Sequence, residues 1–183
     1  SAQNFEYKSI TGNTIKEGNL IFYQVSIPVE YQGKTIPYNF YLRNNPEELK
    51  DISFSGQINL IGNVVFDSEG DLTCDGNGVI AVANLARLYE VLGAKVIKDE
   101  NATCDTKNLY TLINIKESSE TSIEQVGYSC YNLNVNKCEI LKVTEKFMLE
   151  NLVKVKEIIG DKPLVYKPGD EEEKEVIVIR EID

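Results

Sequence analysis

The chain has 183 residues, 42% hydrophobic and 26% charged, enough length and apolar content for one sizeable core. Lys and Arg number 19 against 29 Asp and Glu, a formal charge of −10, and histidine and tryptophan are absent. Without imidazole there is no His-based catalytic triad and no histidine metal site. The acidic balance argues against nucleic acid or an anionic membrane surface as partner, since both require a basic patch.

Residues 5–10 suggest a short strand, with a turn at Gly12-Asn13. Residues 19–28 alternate into Leu20, Phe22, Val25 and Ile27, and residues 29–42 continue the theme around a turn pair, Gln32-Gly33. Together they predict a long hairpin. Pro28 and Pro37 restrict these strands to edge or bulged positions. Asn44-Asn45-Pro46 then closes the segment with a turn or a single helical turn. Residues 58–66 read as a buried strand, followed by an Asp/Gly-rich loop over 67–78.

Residues 79–92 form the clearest helix. Its polar residues Asn84, Arg87 and Glu90 recur every three, the rest is apolar, and Gly93 stands at the C′ position. So thin a wet face predicts the core helix. Short strands are expected at 95–98, 109–115 and 122–135. A second, amphipathic helix runs from near Cys138 to about Ile159. Its apolar face is traced by Ile140, Leu141, Thr144, Phe147, Met148, Leu152, Val155 and Ile159. Glu150 and Lys154 stand in the favourable i,i+4 order, and Gly160 ends the helix. Beyond it, residues 163–167 and 175–182 read as strands flanking an acidic loop. The expected fold is α+β: a largely antiparallel sheet, one buried and one amphipathic helix, and a strand-forming tail. The division is a core domain over 1–160 and a β tail over 161–183. No apolar run is long enough to span a membrane.

The cysteines at 74, 104, 130 and 138 contain no C-x-x-C pair. Cys130 and Cys138 bracket a short polar stretch which, read as a hairpin, allows a disulfide, and Cys74 with Cys104 would then pair by elimination. Four cysteines nevertheless allow three connectivities, and four separate thiols in a cytosolic protein are the alternative. Asn101-Ala102-Thr103 is an N-glycosylation sequon directly before Cys104. The start at Ser1, without methionine, fits a processed secreted chain or a trimmed terminus. These features favour an extracytoplasmic location.

One loop invites a metal. Asp67, Glu69, Asp71, Asp75 and Asn77 offer oxygen ligands at alternating positions, as a calcium loop would. The EF-hand spacing of glycine and glutamate is missing, so paired Asp/Gly turns are the plainer reading. Gly76-Asn77-Gly78 before the helix could cradle an anion, but Asp71 and Asp75 oppose one. Tyr23, Tyr31, Tyr38 and Tyr41 could form a binding face, though cross-strand packing is the simpler expectation. No nucleophile has a base beside it, so no catalytic residues and no cofactor are assigned.

Several segments together resemble a known group. They are Lys34-Thr35-Ile36-Pro37-Tyr38-Asn39-Phe40, Asn45-Pro46-Glu47-Glu48-Leu49-Lys50-Asp51-Ile52, Val64-Val65-Phe66 and Ala83-Asn84-Leu85-Ala86-Arg87-Leu88. To these are added Cys104, Ser129-Cys130-Tyr131, Cys138-Glu139-Ile140 and Thr144-Glu145-Lys146-Phe147-Met148-Leu149. The pattern, over residues 19–152, resembles uncharacterised archaeal exoproteins with one N-terminal membrane anchor. The resemblance implies location and a paired-cysteine framework, and no activity. The function expected is a non-catalytic extracytoplasmic structural or cell-surface protein. In its specific form, homo-oligomers or a filament arise when the terminal strand 175–182, or the N-terminal strand 5–10, completes a neighbour's sheet. The alternative is an extracellular ligand- or calcium-binding module.

Overall fold

A computed structural model describes residues 3–104 and 107–166. The chain opens with β1 (Asn4–Tyr7), which turns at Lys8 and Ser9 into β2 (Ile10–Glu17). The turn therefore lies earlier than Gly12-Asn13, which are strand residues. Gly12 faces Phe5 across the pair, and a Cβ there would collide with the Phe5 ring and the Gln24 carbonyl. Its glycine serves close approach, not turning.

The long hairpin forms as expected, β3 (Leu20–Tyr31) against β4 (Lys34–Leu42). Gln32 and Gly33 both have positive φ, 51° and 77°, as a two-residue type I′ turn demands. Such a turn makes Tyr31 and Lys34 a hydrogen-bonded pair. Counting back by alternation, Pro28 and Pro37, which are register partners, fall on a non-hydrogen-bonded pair, so neither removes a bond between β3 and β4. Together these strands make an antiparallel sheet, joined on the far side of β3 by a short parallel strand, β11 (Leu164–Val165).

After the one-turn helix α1 (Pro46–Leu49), capped by Asn45, the chain builds a second sheet. Its strands are β5 (Ser53–Ser55), β6 (Asn63–Glu69), β7 (Lys95–Val96), β8 (Thr111–Glu117), β9 (Ser122–Gly127) and β10 (Cys130–Val135), in the order β5-β9-β10-β8-β6-β7. The α+β class expected from the sequence is the class observed. The first sheet carries the antiparallel character. The second is mixed: only β9 and β10 run antiparallel, and the other neighbours are parallel. The strand expected over 58–66 begins only at Asn63, and the three residues of β5 were too short to register as a periodic signal.

Two helices lie between the sheets. In α2 (Asn77–Val91), Arg87 lies over the Phe40 and Tyr38 rings of the first sheet, while Tyr89 packs edge-on to Phe66 of the second. Gly93 (φ 87°) ends it in a Schellman turn, with the Ala94 N–H donating to the Tyr89 carbonyl. The following helix, α3 (Ile140–Ile159), departs from expectation. All eleven residues from Val143 to Val153 are buried, including Thr144, Glu145, Lys146, Glu150 and Asn151. At 100° per residue, such a run covers the whole circumference. The helix read as amphipathic is the central one, enclosed over 143–153 and exposed in its last turn.

The body continues past residue 160. Tyr166 stacks on Tyr31 and Tyr38, at 6.1 and 5.9 Å, so the first residues of the expected tail belong to the core sheet. The strand expected over 175–182 lies outside the described residues. No helix among the described residues is long and apolar enough to cross a membrane.

Both disulfides differ from the expected pairing: Cys74 joins Cys138 and Cys104 joins Cys130. The stretch between Cys130 and Cys138 is no hairpin. It is β10, and an extended strand of six residues carries its ends about 17 Å apart, too far for one bridge. Cys74 and Cys138 each sit in a left-handed turn, φ 46° and 58°, just before α2 and α3 respectively. Their bond fastens the two helix starts together, Cα to Cα 5.5 Å. Cys104 and Cys130 instead pin residues 97–104 onto the second sheet, where Ile97 and Ala102 pack with Val65 and Leu112.

Candidate functional site

The polar residues buried on α3 define the chemistry of the interior. Glu145 is 1% exposed, and its carboxylate accepts the backbone N–H groups of Arg43 and Asn44 and the Asn44 side-chain amide, at 2.9–3.1 Å. It thereby satisfies the orphan donors at the end of β4 and ties that end to the central helix. Burial raises its proton affinity to about 7, outweighing the donated hydrogen bonds and the Arg43 charge that oppose the shift.

One turn further along lies an ionic cluster. The Tyr7 hydroxyl donates to Glu150 Oε1 at 2.5 Å, Lys8 Nζ donates to Glu150 Oε2 at 2.9 Å, and Lys146 Nζ stands 3.7 Å from Glu150 Oε1. The Lys146 ammonium also lies 5.1 Å from the centre of the Tyr7 ring. Glu150 therefore turns toward Lys8 and Lys146, and Lys154 has Glu157 beside it instead. Burial and the Glu150 carboxylate both push the Tyr7 hydroxyl above the phenol range. Burial lowers Lys146, with Glu150 opposing and Lys8 reinforcing the change. Tyr7 thus stays protonated as a donor, and Glu150 accepts two hydrogen bonds, from Tyr7 and Lys8, with the Lys146 ammonium as a nearby ion pair.

This cluster forms one side of an open cleft of roughly 590 Å³ between α3, the β1–β2 turn and the segment 50–58. Lys8, Lys50, Lys146 and Lys154 converge on it, with Glu150 and Glu157. Ile52, Phe54, Ile58 and Val153 add apolar wall, and Ser53 and Gln57 add uncharged polar groups. The cleft is lined mainly by polar and charged groups, and their convergence in one concavity offers hydrogen bonds and charge to a ligand. No known protein family, curated protein or solved structure matches the chain.

The residues singled out as calcium ligands are not assembled into a site. Asp67 accepts the Ser68 N–H, and Asp71 accepts both the N–H and the hydroxyl of Thr73, which holds its carboxyl below the usual range. Glu69 ends β6, Asp75 occupies a left-handed turn at φ 55°, and Asn77 opens α2. Among the described residues no three His, Cys, Asp or Glu side chains gather to hold a metal ion. Asp71 forms an Asx-type turn with Thr73, so this carboxylate is engaged by its own loop backbone. Asn101 is exposed in the loop pinned by Cys104, where its sequon is accessible.

The tyrosines of the hairpin are packing residues: Tyr23 meets Phe5 at 5.9 Å, Tyr41 meets Phe22 at 6.5 Å, and Tyr31 and Tyr38 hold Tyr166. Sequence reasoning missed the lysine cleft. Its lysines come from three separated segments, and the only local signal was four charged or amide residues, Glu145, Lys146, Glu150 and Asn151, on a helix otherwise patterned for the core.

Proposed function

We propose that this protein is a non-catalytic extracytoplasmic binding domain, cross-linked by two disulfides, that presents the cleft beside Lys146 and Glu150 to a ligand. The observation that carries the reading is the cleft itself, a mainly polar concavity where the ionic groups of α3 meet Lys8 and Lys50 beside a smaller apolar surface. Buried ionic groups contribute little to stability compared with an apolar core, and that favours a role in recognition. The two disulfides are compatible with an extracellular location. Protein-observed NMR against a library of small saccharides and organic acids tests the binding role. Shifts confined to residues 50–58 and 146–157 support it, and a library that moves neither segment defeats it.

A second reading is assembly through the terminal strand. It is favoured by β11, which already adds a parallel strand to β3 beside Val29 and Glu30. Against the N-terminal version, β1 is paired with its own β2, and Phe5 and Tyr7 are buried in the core. Deletion of residues 170–183 should abolish any homo-oligomer seen by light scattering. Unchanged assembly in the truncated chain removes this reading.

A further inference from the structure

We infer that the lysine cleft recognises an oxyanion, a carboxylate, sulfate or phosphate group carried on a small ligand with an apolar or sugar-ring body. This rests on the binding role proposed above and names the ligand class. The chain as a whole carries −10, yet the cleft is lined by four lysines and two glutamates. At its inner end two ammonium groups, Lys8 and Lys146, share the single carboxylate of Glu150, which also accepts the Tyr7 hydroxyl.

Each ammonium has three donors, so one carboxylate already engaged by a phenol leaves donors unused on both. The Lys146 side chain is only 7% exposed, and that small opening faces the cleft. A charge placed there meets less solvent screening than one on the open surface. The other acids near these lysines lie on α3 itself and on the α1 segment. Glu47 holds Lys50 at 3.0 Å, Glu157 stands 4.0 Å from Lys154, and exposed Asp51 acts on Lys146 through its field. Lys50 has a carboxylate to itself, whereas Lys8 and Lys146 share one and Lys154 is only loosely paired, so these three are the residues that meet the anion. Phe54 and Ile52 offer a surface for the uncharged part of the ligand.

The test is calorimetric and NMR titration of the full chain with inorganic phosphate, sulfate, a tri-galacturonate and neutral maltotriose. At least one anion should shift the resonances of 50–58 and 146–157. Its affinity should fall tenfold or more both in K8A/K154A and on raising NaCl from 20 to 300 mM, and maltotriose should not bind. The most effective anion identifies the source of the charge. K146M should reduce affinity as well, and K8A/K154A, at two more exposed positions, keeps the test sound if K146M unfolds. Cleft binding of maltotriose without anion binding, or anion binding that ignores K8A/K154A, overturns the oxyanion inference and leaves the binding domain standing. Silence of the cleft toward all four compounds overturns both.

Discussion

A single carboxylate shows how much a buried polar residue can do. Glu145 accepts two backbone donors at the end of β4, so it fixes where the first sheet meets the central helix. Its proton affinity rises from 4.5 to about 7 on folding, so between those values the native state holds a proton that the unfolded chain has released. The stability it confers is complete below about pH 4.5, declines as pH rises to about 7 and is level above. Two and a half units correspond to about 3 kcal/mol at most. In E145Q this slope should vanish. Urea unfolding of both proteins at pH 5 and pH 7.5 measures it, and an equal pH response in the two proteins contradicts the assignment. Lys146 and Glu150 were legible as residue types but not as a site. Their meaning depends on Tyr7 and Lys8, some 140 residues away, and no local spacing encodes that meeting.

Among the elements, those with a strong local signal were read well. The β3–β4 hairpin is specified by alternation and by Gln32-Gly33, and α2 by its apolar run and Gly93; both formed within a few residues of expectation. The reading of α3 failed for a physical reason. Charged residues on one stripe normally mean solvent, but here the first sheet and α1 cover that stripe and supply Lys8, Arg43 and Asn44 as partners. The cysteine pairing failed because Tyr131–Lys137 could be read as polar loop when it is mostly the central strand of a sheet. The observed pairs predict distinct effects. In the chain-entropy picture, the bridge spanning 64 residues is worth about 4 kcal/mol and the one spanning 26 about 3.5 kcal/mol. C74S/C138S should therefore lower global stability in urea. C104S/C130S should in addition release hydrogen-exchange protection over residues 97–104 and 126–130 while α2 and α3 remain protected. If both variants lose protection in the same segments, the two bridges do not act on separate layers.

For the molecule as a whole, the excess of acid acts in two opposite directions. A net charge of −10 opposes compaction through self-repulsion, which salt screens. The melting temperature should thus rise by a few degrees between 20 and 300 mM NaCl, the same range over which anion affinity at the cleft should fall. A melting temperature that falls with salt would show that the ion pairs along α3 outweigh the general repulsion. The α+β class was legible because strand and helix signals separate cleanly along the chain. The sandwiching of both helices between two sheets was not, since it depends on which strands pair at long range.

The two disulfides are nested, 104–130 lying inside 74–138. A peptide bond cut between Cys74 and Cys138 therefore releases nothing, because at least one bridge still spans the break. Between Cys104 and Cys130 two bridges must be reduced before the halves part. Only the first 73 residues and those after 138 are held by peptide continuity and packing alone. A protease that nicks the loop beside Asn101 leaves a single covalent molecule, because the Cys74–Cys138 bridge spans the cut.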